Sequence, residues 1–207
     1  MVEQVMLKET VEMIRINHQS VFDLLDVPFY QEDFVFFPKL ALALGEAVEM
    51  TTEKASKIGV LSEIIHLSSK IHLMIAEDTP TVQKERQQMQ LPILVGDLLY
   101  GRFINYLTVH KLEQYLPLYL QYLKNLNSNA ANSLREQTAW QKDKFAHQVE
   151  MLAAMTVEVF VLASAEERRE LLSAKAKQMV TEKLPAWVEK KIMSLAELES
   201  LAETEKI

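Results

Sequence analysis

Between Ile58 and Ile75 the chain is apolar nearly all round, through Ile58, Val60, Leu61, Ile64, Ile65, Leu67, Ile71, Leu73, Met74 and Ile75. Only Glu63 and Lys70 are strongly charged in that run. At about 3.6 residues per turn these positions leave no polar face. A helix here must be covered on every side, so it belongs in the middle of a bundle. Thr51 or Thr52 is placed to N-cap it. His66 and His72 invite a metal reading, but six residues put them about 120° apart around a helix, unlike the stacked i, i+4 pair of a metal site. Buried, hydrogen-bonded histidines are the expectation.

The rest of the chain supports an all-α fold. Four glycines and six prolines are few, and no glycine follows Asn or Asp, so the strongest hairpin signal is missing. With 207 residues the chain is long enough to bury a sizeable core as one domain. Its net charge of −7 has acids and bases interspersed, with no basic stripe and interleaved aromatics to suggest nucleic-acid binding. The absence of cysteine excludes disulfides, thiolate zinc sites and a cysteine nucleophile. It suits a reducing, cytoplasmic setting. Neither a signal peptide nor a transmembrane span is expected.

In order, residues 2 to 25 read as an amphipathic helix through Val2, Val5, Met6, Met13, Ile16 and Val21. Phe29, Tyr30, Phe34, Phe36 and Phe37 form an aromatic cluster, read as core packing at a helix junction with an exposed partner patch as the alternative. Pro38 is expected early in the next helix. Leu91 to Leu107 is a second strong element. Lys111 to Leu126 is helical, with Tyr115, Tyr119 and Tyr122 on one packing face and a possible kink at Pro117. Asn125 to Ser133, small and polar, reads as the one clear loop. Capping boxes at Ser133–Glu136 and Ser164–Glu167 open helices reaching about Ala163 and Lys183, and a third, Ser194 with Glu197, sits in a charged tail.

A resemblance runs through the centre of the chain. Glu63, Ile65, His66, Ser69, Ile71 and His72 fall in register with a helix that reads E-x-I-H-x-x-S-x-I-H-D-D-x-x-D in trans-polyprenyl diphosphate synthases. Leu94, Gly96, Asp97 and Leu99 match the A-x-L-x-G-D-x-L of the same family, with Pro92 in place of Ala, and Pro80-Thr81-Val82 match its P-T-V. The departures are more specific than the matches. Leu73 and Met74 stand at the paired aspartates, leaving Glu77 as the only carboxylate of that motif. Asp33-Phe34 and Phe37 replace the Gly-Lys and Arg that grip isopentenyl diphosphate, Phe145 follows Lys144 where the K-T-A motif needs Thr, and the second aspartate-rich motif is missing. Mg²⁺ needs oxygen ligands to bridge to substrate phosphates, and to neutralise the leaving diphosphate as the allylic cation forms.

The resemblance therefore implies a truncated isoprenoid-synthase helical bundle: one helical domain over residues 1–207, with a prenyltransferase-like core over 34–185 and a tail helix over 186–207. It implies no catalytic residue and no metal site of the chain's own. The chain is similar to the small subunit of heterodimeric heptaprenyl or hexaprenyl diphosphate synthases, which completes the product tunnel and helps set chain length for menaquinone side chains. Mg²⁺ and the catalytic carboxylates would belong to a large-subunit partner, and a prenyl diphosphate would lie in the complex. Candidate tunnel or interface residues are Ser69, His72, Leu73, Met74, Gly96, Asp97 and Tyr100. Gly96 would allow close helix contact, and Asp97 reads as a lone acid in an apolar surround that would hydrogen-bond structurally or pair with Arg102 or a partner chain. Two other readings stay open: a helical scaffold or regulatory protein with no isoprenoid role, and an unconventional enzyme using Glu77, Asp78 and Asp97.

Overall fold

The computed structural model describes residues 2–13, 15, 16, 19, 20, 32–74, 83–136 and 141–187. Seven α-helices account for nearly all of them: α1 Val2–Met13, α2 Glu32–Ala47, α3 Thr52–Met74, α4 Gln83–Val109, α5 Leu116–Glu136, α6 Gln141–Ala163 and α7 Arg169–Trp187. Short 3₁₀ turns at Glu113–Tyr115 and Glu166–Arg168 lead into α5 and α7. The all-α class expected from the apolar spacing is what the chain adopts.

Helix α3 is the hub, packed against α1, α2, α4 and α6. Every residue from Ile58 to Ile71 is buried, as the all-round apolar run requires. Thr51 caps it: the Lys54 backbone N–H donates to Thr51 Oγ1 at 3.4 Å. Glycines let its neighbours approach. A Cβ on Gly45 of α2 would lie 2.6 Å from Ala55 Cβ, and one on Gly59 would lie 2.9 Å from Pro38 Cα and 2.5 Å from Met6 Cε.

Several boundaries differ from the sequence expectation, each for a local reason. The first helix stops at Met13, whose carbonyl accepts a hydrogen bond from Arg102 Nη1. A two-residue antiparallel ladder follows, pairing Arg15 with Ser20 and Ile16 with Gln19. Ile14 and Ile16 flank Arg15, and β-branched side chains favour extended backbone over helix. Helix α2 begins at Glu32, so Pro38 is interior. A proline there withholds one backbone donor, and burial of Phe34, Phe37, Leu40, Ala41 and Leu44 outweighs the cost. Pro117 lies in the first turn of α5, where a missing N–H costs nothing, so a kink there needs no invoking.

The largest correction is Asn125–Ser133, which is helical within α5. Tyr119, Tyr122, Leu123 and Leu126 are buried along the preceding face, and Gln121 Nε2 donates to Asn125 Oδ1 at 2.8 Å, an i, i+4 bridge that carries the helix onward. Ser133 and Glu136 are therefore inside a helix and form no capping box at its start. The box at Ser164 is also absent: Ser164 Oγ donates back to Phe160 O at 2.7 Å, and Glu166 pairs with Arg169.

Two helices end in the left-handed region without glycine. Glu49 has φ 57° and Lys111 has φ 56°. Met50 N–H reaches Gly45 O at 2.9 Å and Leu112 N–H reaches Leu107 O at 2.8 Å, closing the ends of α2 and α4.

Within α6, Phe145–Ala163 is long and apolar enough to cross a membrane by length and composition alone, with mean hydropathy 1.4. It also holds Glu150, Glu158 and the buried Gln148 and Thr156, and more than half of it is covered by the fold. Those are properties of a core helix.

Candidate functional site

The residues singled out from the sequence separate into two places. Helices α3 and α4 run side by side, and Ser68 Oγ donates to Gly96 O at 2.9 Å. The Gly96 backbone lies against the His72 ring so tightly that an added Cβ would overlap it. His72 Nε2 meets Asp97 Oδ1 at 3.3 Å. His72, Gly96 and Asp97 thus come together at one edge of the helix pair. Asp97 is 68% exposed there, so it is not an acid in an apolar surround, and it meets His72, while Arg102 reaches the Met13 carbonyl. His72 is itself partly exposed, unlike the buried histidine expected of it.

Ser69 and Tyr100 lie elsewhere. Ser69 is buried. It stands beside Tyr122, whose hydroxyl is held up by burial, with Ser69 and Gln148 pulling weakly the other way and Tyr100 pushing it further up. Tyr100 packs its ring 5.8 Å from that of Phe103. Leu73 and Met74 close α3, but their side chains lie outside the described residues, as do Phe29, Tyr30, Glu77, Asp78, Trp140 and the tail beyond Trp187.

The most polar part of the interior is one that sequence reasoning missed. Asp33, in the first turn of α2, is completely buried and binds two groups of α3. Lys70 Nζ donates to its Oδ2 at 2.5 Å, and His66 Nε2 lies 3.1 Å from its Oδ1. Burial pushes the Asp33 carboxyl up, but Lys70 and His66 outweigh it and hold it below its ordinary value. Burial drives the His66 imidazole down despite Asp33, so the ring is neutral and donates Nε2–H to the carboxylate. Phe37 and Phe145 close over the cluster, with ring centroids 5.1 and 6.1 Å from that of His66 and Lys70 Nζ 5.2 Å above the Phe145 ring.

Glu63 stands one turn before His66 and behaves differently. It is fully buried, no side chain hydrogen-bonds either carboxyl oxygen, and the Phe37 backbone N–H lies close enough to pull its carboxyl down. Burial, reinforced by the Asp33 charge, raises it well above its ordinary value, against the smaller pull of the Phe37 backbone and Lys70. Lys70 is one of only two strong charges in the central run, so a buried counter-ion was demanded by the sequence. Asp33, set among aromatics, was the signal available.

On the opposite side of α3 the polar contacts are uncharged. Ser62 Oγ lies 3.0 Å from Tyr119 Oη and 3.3 Å from Thr156 Oγ1, Thr156 donates to Leu152 O at 2.8 Å, and Gln148 Nε2 donates to His66 O at 3.4 Å. They tie α3 to α5 and α6.

Chemically, both Asp33 oxygens are engaged and sealed under aromatic rings, which suits holding helices in register better than meeting a substrate. A groove of ≈ 360 Å³ between α6 and α7 sets Lys177 among Glu150 and Glu158. Among the described residues no three His, Asp or Glu side chains gather in a way that could hold a metal ion. No family model matches the sequence, and no curated protein or solved structure matches it significantly.

Proposed function

We propose that this chain is a non-catalytic helical subunit of a medium- or long-chain polyprenyl diphosphate synthase, completing the product tunnel beside a catalytic large subunit. The observation that carries the reading is the meeting of His72 with Gly96 and Asp97. These residues belong to the two stretches that resemble the synthase motifs, and they come together at one edge of α3 and α4. The outer face of α4 also leaves Ile93, Leu94 and Ile104 exposed, an apolar surface next to that edge which a second chain would cover.

The side chains at the two resembling stretches are poorly suited to Mg²⁺. Leu73 and Met74 bring no oxygen donor, and Asp97 is a single exposed acid paired with His72, whereas the ion needs several oxygen ligands. The chemistry is thus assigned to the partner: ionisation of an allylic diphosphate, attack by isopentenyl diphosphate and proton loss.

The test is incorporation of labelled isopentenyl diphosphate into farnesyl diphosphate with Mg²⁺, by this chain alone and with a candidate large subunit. Activity only in the mixture is the expected result. Turnover by the chain alone would overturn the non-catalytic assignment, and silence in both, with no complex on a sizing column, would overturn the subunit assignment. One observation favours the second reading, a helical scaffold without an isoprenoid role. At the place that resembles the isopentenyl site, Asp33 is locked to Lys70 and His66, so that region is packed core.

A further inference from the structure

Three of the four glycines are explained by a packed neighbour. A Cβ on Gly45, Gly59 or Gly96 would collide with a side chain of another helix, whereas one on Gly101 meets nothing within 4 Å. No glycine has a positive φ, so the backbone of Gly101 does not require the residue either. Glycine inside a helix is less stable than alanine there, and nothing in the described fold offsets that loss. Its surroundings are equally unlike an ordinary surface. From Ile93 to Val109 the exposed positions of α4 include a single charged residue, Asp97. Leu94 and Val109 are each 64% exposed.

Counted outward from Gly101, that face reads nearly the same in both directions. Leu98 and Ile104 stand three residues away, Asp97 and Asn105 four, and Ile93 and Val109 eight. Such a pattern is self-complementary about a twofold axis, as a closed dimer interface must be. With two copies of α4 antiparallel and the axis at Gly101, each residue comes level with its counterpart across the glycine. Asn105 then meets the Asp97 of a second copy, an amide N–H opposite a carboxylate, which is a charge-assisted hydrogen bond. The carboxylate has acceptor capacity left beside His72. A parallel pair would instead set Asp97 against Asp97. The missing side chain at the crossing point lets the two helix axes come closer than the usual spacing.

We propose that the outer face of α4 is a self-association surface, on which a second copy of this chain lays its own α4 antiparallel and crosses at Gly101. The synthase reading gives the same face to a large subunit, so the self-paired chain and that complex exclude one another. The inference does not rest on that reading, and its test uses this chain alone.

Sedimentation velocity of the full chain across a concentration series is the first experiment, with a monomer–dimer equilibrium as the expected result. A monomer at every concentration up to the solubility limit overturns the proposal. Gly101→Leu is expected to leave the monomer at least as stable to unfolding, since the new side chain enters open space and suits a helix better. It should weaken dimerisation at least about tenfold, and an unchanged dimer overturns the crossing point. Asn105→Asp should weaken the dimer and Asn105→Lys should tighten it, because each copy presents Asp97 to that position. Equal effects of the two overturn the antiparallel register. The chain has no cysteine of its own, so a single thiol reports the axis. Gly101→Cys is expected to link copy to copy on oxidation and Val109→Cys to stay unlinked. Linkage through Val109→Cys marks a parallel pair and overturns the arrangement.

Discussion

The two sides of α3 solve the same problem in different ways. Toward α2 the buried polar groups are ionisable: Asp33, Lys70, His66 and Glu63. Toward α5 and α6 they are hydroxyls and an amide: Ser62, Tyr119, Thr156 and Gln148. The hydroxyl side carries no net charge in any member, so each bond can be lost singly. The ionic side is held by mutual compensation, and removing one member takes a close charge partner from another that is buried. The comparison teaches that buried polarity within a single helix can be either divisible or indivisible, depending on whether it is charged.

The sharpest way to break that contrast is Asp33→Ala. It removes the carboxylate that Lys70 and His66 both bind in the interior and is expected to cost about 3–5 kcal/mol, measured by denaturant unfolding followed by circular dichroism. Asp33→Leu combined with Lys70→Met should recover much of the loss. A double variant as unstable as Asp33→Ala would show that packing, and not the lost charge partner, dominates. Next in size is Gly59→Ala, expected to cost about 1–3 kcal/mol by overpacking, because the added methyl meets the Pro38 backbone at 2.9 Å. On the hydroxyl side Ser62→Ala leaves Tyr119 without its bond and should cost about 1–2 kcal/mol, with no change in how stability varies with pH.

That pH dependence separates the two sides further. Glu63 is raised on folding, so its contribution is fully present below its unfolded pKa and is lost as pH rises through the folded one. Asp33 and His66 are held low. Their contribution is present above their unfolded values and is lost as pH falls through the folded ones. Glu63→Gln is therefore expected to be more stable than the natural chain at neutral pH and to lack its decline on the alkaline side. Thermal midpoints across a pH series check this, and an unchanged slope would show that Glu63 is ionised when folded. The smallest effect lies away from both sides. Lys111→Gly removes a side chain from a left-handed residue and should gain up to about 1 kcal/mol in the same unfolding measurement.

The central helix was legible because its signal does not depend on partners. An apolar run from Ile58 onward with a threonine before it specifies a capped, buried helix. The Tyr115, Tyr119 and Tyr122 series was legible in the same way, and all three are buried. Asn125–Ser133 was misread because its composition describes local preference, whereas an established helix adds each further residue cheaply once nucleated. Pro38 was misplaced because the cost of an interior proline is local while the burial that offsets it is tertiary. Asp33 escaped because its role is defined by Lys70, far away in the sequence. The glycines were readable as contacts in principle, and Gly96 was, but which helix approaches each one is a fact of topology.

A helix with no outside also limits how the molecule can change. From Ile58 to Ile71 there is no position at which a substitution is a private matter, since each side chain is simultaneously part of a neighbour's surface. New surface properties can be acquired only on the rim, along the outer faces of α4 and α7 and the ends of α3, where an altered residue has solvent on one side and can be tried without renegotiating the interior.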